Sequence, residues 1–167
     1  IDIGGLLMMA LFGFGWDKPV PVDMRNFRHP KRDMALTAAA GPVSNVLLAY
    51  LAELLYGLCA YWYYTNGQTA AYVLALFFYD VEIISAGLAV FNLIPIPPLD
   101  GSKVLLAVLS DRAYNWLMRY ERYGMLLLMV LLFTNVLDTP LEFLRGGLLD
   151  AIQATGSWPV KLLLALR

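Results

Sequence analysis

The sequence carries one cysteine and one histidine in 167 residues. Cys59 alone can form neither an intrachain disulfide nor a thiolate metal cluster, and within an apolar run it reads as ordinary packing. His29, between Arg28 and Pro30 in a basic loop, reads as a surface residue. Charge is scarce too: 15% of residues are charged, 60% are hydrophobic, and the mean hydropathy is +0.63. A soluble domain of this size cannot cover so much apolar surface with so few charges, so its solvent is largely lipid. No basic run is long enough to neutralise a phosphate backbone, which sets nucleic acid aside as a partner. Internal repeats and low-complexity segments are absent. The start, Ile1 to Gly5, lacks an initiator Met and a basic leader and does not read as a signal peptide.

What is abundant is apolar sequence of spanning length. About 20 apolar residues at about 1.5 Å each cross roughly 30 Å of hydrocarbon. Residues 34–64 meet that test with Glu53 as their one charge, and Tyr61 to Tyr64 resemble an interfacial aromatic belt. Residues 69–93 form a second expected span, and 123–137 a third, with Trp116 and Tyr120 extending it toward the interface. These three spans make the whole chain, 1–167, one all-α polytopic membrane domain. Arg25, Arg28, Lys31 and Arg32 precede the first span, Thr65 to Gln68 carry no charge, and Lys103, Arg112, Arg119 and Arg122 follow the second. Positive charge favours the cytoplasm, so the loop after the second span is expected there.

Residues 4–16 are apolar but too short to cross unaided and are rich in Gly, and in the following Lys18 to Val22 the prolines Pro19 and Pro21 disfavour helix. Irregular backbone at membrane depth needs protein or a wet cavity around it, so a re-entrant or interfacial extended loop or short β-hairpin is expected. Beyond the third span, Pro140 opens an amphipathic stretch to about Ala154, which reads as a helix lying on the outer interface. A short apolar tail, Trp158 to Arg167, closes the sequence.

Chemistry concentrates where the second span stops, at Asn92-Leu93-Ile94-Pro95-Ile96-Pro97-Pro98-Leu99-Asp100-Gly101. The three prolines end the helix and leave carbonyls without intrahelical partners. Such a break must be packed in protein or wetted, and the carboxylate just beyond it is a candidate metal ligand or proton carrier. The plainer reading is a helix end at the interface with a solvated Asp100. Gly101 permits close approach or a positive φ, and Ser102 is a candidate cap for the next helix. Asp80 and Glu82 lie inside the second span, where charge is expensive. They fit either a proton path or substrate gate, or a polar contact with Glu53 or Ser85.

The segment Asn92, Pro95, Leu99, Asp100, Gly101 resembles the N-x-x-P-x-x-x-L-D-G motif of the site-2 protease family of intramembrane zinc metalloproteases. Phe14 to Val22 is similar to the F-G-W-x-K-P-V-P-V segment of its compact bacterial branch. Asn26 to Arg32 is similar to N-F-R-x-P-K-R, and Ala40 to Asn45 to A-G-P-x-S-N. The similarity covers about residues 1–106. It implies Zn2+ as cofactor, Asp100 as third zinc ligand, and a transmembrane or membrane-proximal peptide as substrate. Gly13 and Gly15 would belong to a loop that receives the substrate by strand addition, with Asn45, Asn92 and Pro95 supporting the site. On bare physics, Gly41 and Asn45 are also compatible with plain helix packing.

In that family two His and a Glu come from H-E-x-x-H on an earlier helix, and no H-E-x-x-H occurs in this sequence. A catalytic zinc site needs three protein ligands and an open position. The resemblance therefore implies a fragment whose general base and two histidines lie upstream, inactive alone. Its implied home is a bacterial cytoplasmic membrane, with Asp100 near the cytoplasmic side. The competing expectation is a catalytically inactive membrane relative that acts as a binding protein, or a transporter-like protein with a broken-helix ion site.

Overall fold

A computed structural model describes residue 10, residues 27–106 and residues 109–165. The chain divides into two compact units, residues 1–30 and 31–167, and the architecture below is that of the second. Gly13, Gly15 and the extended loop expected over 4–22 lie outside the described residues.

All regular structure among the described residues is helical. Helix α1 spans Pro30–Asn66 and α2 spans Thr69–Asn92, and both are long and apolar enough to cross a membrane. The turn between them is short because Gly67 takes φ 67°, the left-handed conformation that stops a helix without a Cβ penalty. Its N–H returns to the Tyr63 carbonyl at 2.8 Å, and Trp62 Nε1 donates to Gln68 Oε1 at 3.0 Å. Helix α3, Asp100–Leu106, follows the break, and α4 covers Asp111–Phe133.

The apolar run 123–137 is divided. Residues 123–133 complete α4, and the chain then turns at Asn135, whose φ of 56° suits an Asn side chain. Helix α5, Asp138–Gly156, leaves this turn, and the two apolar segments bend by 87°. Helix α6, Trp158–Ala165, ends the described chain.

Packing is by small residues. Ala49 and Ala52 of α1 and Ala71, Ala75, Ala86 and Ala89 of α2 are buried, while Leu47, Leu51, Val73, Phe77, Ile84 and Leu88 point outward. Large side chains gain nothing by leaving lipid tails for protein, so close backbone approach through alanine is what holds the spans together. Ala49, Ala86 and Ile152 meet in one cluster, which brings α5 onto the α1–α2 pair. The segment expected along the outer interface packs on α2.

Candidate functional site

The end of α2 is built from its prolines. Pro95, Pro97 and Pro98 offer no N–H, and every other amide between Leu93 and Leu99 finds a near carbonyl. Leu93 donates to Ala89 and Val90 (3.2 Å each), Ile94 to Phe91 (3.1 Å), Ile96 to Ile94 (2.8 Å) and Leu99 to Ile96 (2.9 Å). The break is therefore a set turn with its donors satisfied. Ser102 does not accept an amide as a helix cap would: its Oγ donates back to the Leu99 carbonyl at 2.7 Å.

Glycine closes this turn from two sides. Gly101 is buried, and a Cβ there would overlap the carbonyl of Leu93 and lie 2.6 Å from that of Ile94. Close approach is the reason for glycine here, since its φ is not positive. On α4, a Cβ at Gly124 would overlap the Pro97 carbonyl and lie 2.8 Å from Pro97 Cβ. Nothing in the local sequence marked Gly124; its contact with the break arises from how α4 crosses it.

Asp100 then opens α3 and turns to α1. Its Oδ2 lies 3.2 Å from where a Gly41 Cβ would stand, and its Oδ1 is 3.8 Å from Lys103 Nζ. The Asp100 side chain is 36% exposed, so it is packed on one side and reachable on the other. Its seat on α1 is unusual backbone: Pro42 is buried inside the helix and lacks the N–H that the Ala38 carbonyl would otherwise receive. Gly41 lies roughly 16 Å along α1 from Pro30 at about 1.5 Å per residue, well inside the helix. Asn45 follows one turn later on the same face, and both Asn45 and Asn92 are half-buried. Pro95 is exposed at the mouth of the turn.

An open apolar cavity of about 400 Å³ adjoins the break, lined by Val46, Leu93, Pro95, Leu141 and Leu144 among others. Lys31 Nζ donates to the Leu109 carbonyl at 3.4 Å, so the basic start of α1 and the segment after α3 share one end of the helix pair. Of the two acids in α2, Asp80 is exposed and Glu82 is wholly buried against Glu53 and Gln153. His29 is exposed.

Residues 53–135 match peptidase family M50. The Bacillus subtilis protein named Putative zinc metalloprotease YwhC is 33% identical over 136 residues, which is 80% of this chain and 61% of that protein. The chain belongs to peptidase family M50. This M50 chain is also 31% identical over 134 residues to the Mycolicibacterium smegmatis protein named Putative zinc metalloprotease Rip2, covering 80% of the chain and 48% of that protein. Against Putative zinc metalloprotease MJ0611 of Methanocaldococcus jannaschii the identity is 30% over 107 residues, 60% of the chain and 48% of the relative. The chain thus spans from about half to about three-fifths of the relatives it matches. No solved structure matches it.

Zinc fits the M50 chain only in part. Asp100 is a hard oxygen donor, partly exposed and held against α1, as one ligand of a zinc ion should be. Among the described residues, however, no group of three or more His, Cys, Asp or Glu side chains is placed to hold a metal. The described residues supply one donor and do not by themselves make a zinc site.

Proposed function

We propose that this chain supplies one zinc ligand and a substrate-facing wall of an intramembrane zinc metalloendopeptidase. The observation that carries the reading is the contact of Asp100 with Gly41, which joins the N-x-x-P-x-x-x-L-D-G and A-G-P-x-S-N segments inside the helix pair. The remaining ligands, two histidines, and the general base, a glutamate, come from outside these 167 residues. Zinc in such a site supplies Lewis acidity toward a peptide carbonyl and toward water. Asn45 and Asn92 are the half-buried amides available to hydrogen-bond an extended substrate backbone. The apolar cavity beside Pro95 suits the side chains of a transmembrane peptide. Gly13 and Gly15 belong, in this reading, to the loop that pairs with the substrate strand. Asp100 faces the cytoplasmic side of a bacterial cytoplasmic membrane, in keeping with the shared end of the two basic segments.

The full-length protein in lipid nanodiscs provides the test. Asp100→Ala should lose zinc and lose cleavage of a transmembrane peptide while inserting normally. The 167 residues alone should neither retain zinc nor cleave. Retention of stoichiometric zinc and cleavage by the Asp100→Ala protein removes Asp100 from the site.

A second reading, a catalytically inactive membrane relative that acts as a binding protein, is favoured by the absence of H-E-x-x-H from these residues. It requires that wild-type full-length protein bind transmembrane peptides without zinc, and zinc in that protein excludes it.

A further inference from the structure

Midway along the spans, at a distance from the break, α1 and α2 bury two carboxyl groups against each other. Glu82 lies about 15 Å along α2 from Asn92, by helical rise. It is 0% exposed and Glu53 is 6% exposed, and α5 covers both side chains through Gln153 and Gly156. Gln153 of α5 donates its Nε2 to Glu82 Oε1 at 3.3 Å. Gly156, one turn on, brings α5 so close that a Cβ would stand 2.6 Å from Glu53 Cγ.

Glu82 Oε2 is the telling atom. It is buried without a hydrogen-bond donor in a side chain that is wholly enclosed. An anionic oxygen so placed is uncompensated, and two anions in contact in a medium of low dielectric repel strongly. Among the described residues no lysine or arginine is paired with either carboxylate. The titratable neighbours are Tyr56 on α1 and Tyr79 on α2, whose rings pack at 5.7 Å, and neither brings positive charge. From α5 the facing groups are Gln153 and Gly156, which do not titrate. One proton resolves the arrangement: a carboxylic O–H on one glutamate donates to the carboxylate of the other, and the buried oxygen gains its donor.

We propose that Glu53 and Glu82 form an intramembrane proton-binding site that holds a single proton between them and thereby keeps α5 docked on α1 and α2. This site is separate from the Asp100 region and does not depend on the metalloprotease reading. Loss of the proton leaves two contacting anions under Gln153 and Gly156, and α5 is the element that yields. The docked form binds one proton more than the undocked form. Its stability is therefore present at low pH and falls as pH rises.

Infrared spectroscopy of the full-length protein in nanodiscs tests this without any variant. A protonated-carboxyl stretch, sensitive to deuteration, should be present at neutral pH and vanish on alkalinisation. Protection factors of the amides in 149–156, which already divide out the intrinsic tenfold rise of exchange per pH unit, should fall in step with that loss by about a further tenfold per pH unit for one linked proton. Glu82→Gln and Glu53→Gln should each remove the band and flatten the pH dependence, whereas Asp100→Asn should leave both. Three outcomes overturn the proposal: no such band in the wild-type protein, a band that survives both glutamine variants, or exchange in α5 that follows sodium or potassium rather than pH.

Discussion

Asp100 and the Glu53–Glu82 pair are both acids inside a membrane domain, yet their surroundings are opposite. Asp100 sits where prolines have opened the backbone, is about one-third exposed, and has Lys103 within 3.8 Å. Glu82 sits in unbroken helix and is wholly buried, with the Gln153 amide on one oxygen and no positive partner among the described residues. A carboxylate with one open side can accept a ligand from elsewhere. A sealed one can only exchange a proton or hold its neighbours in place. In the two proposals above, metal chemistry belongs to the break and conformational control to the midsection.

The contrast breaks most visibly at Asp100 itself. Asp100→Ala in the full-length protein should weaken zinc binding by at least about 100-fold, the upper end of what losing even an outer partner of a metal ligand costs. The unfolding free energy should move by no more than about 0.5 kcal/mol, because a partly exposed side chain away from the core is removed. Zinc titration and chemical unfolding in micelles read the two quantities separately. A large loss of stability would show that Asp100 is structural and that the two acids are alike.

Next comes the turn that presents it. Gly101→Ala should destabilise by about 1–3 kcal/mol, as overpacking against fixed backbone does, and should lower zinc affinity with it. Gly124→Ala, acting from α4 through Pro97, should do the same. Unchanged zinc affinity in both would mean that the turn does not set the position of Asp100.

At the midsection the expected effect is purely structural. Gln153→Leu removes the donor to Glu82 Oε1, which should cost about 1–3 kcal/mol for a buried acceptor left bare. Zinc affinity and cleavage should be unaltered at a temperature where both proteins are folded. Coupling between this position and zinc would join the two regions into one site.

The two regions also differ in how plainly the sequence announced them. The break was legible because proline acts locally: it lacks an amide hydrogen whatever surrounds it, so Pro95 to Pro98 ended α2 where expected. The long apolar runs gave α1 and α2 within a few residues, since length against bilayer thickness is a one-dimensional property. The seat of Asp100 on Gly41 was only half legible: the family resemblance placed Asn45, one turn on, beside the site, but the close approach at Gly41 emerged from the structure. The docking of α5 was not legible. Its Glu142, Arg145 and Asp150 among leucines have the pattern of an interfacial helix, and the contact with α1 and α2 depends on Ile152, Gln153 and Gly156 finding partners on two other helices. In lipid the outward face is as apolar as the inward one, so periodicity does not report which face is buried. Gly124 was hidden for the same reason.

Glycines supply the smallest and most discriminating comparison. Gly101, Gly124 and Gly156 each sit where a Cβ would collide, but Gly146 and Gly147 in the middle of α5 have nothing within 4 Å of that position. With open space around it and a helical backbone, Gly147 gains nothing from lacking a side chain and retains the entropy cost of glycine in a helix. Gly147→Ala should therefore stabilise the protein by about 0.5–1 kcal/mol in chemical unfolding, and zinc affinity should stay at the wild-type value. If this alanine instead weakens zinc binding or cleavage, flexibility at Gly146–Gly147 is part of function, and α5 is a moving element whose docking at Glu82 must be released during turnover.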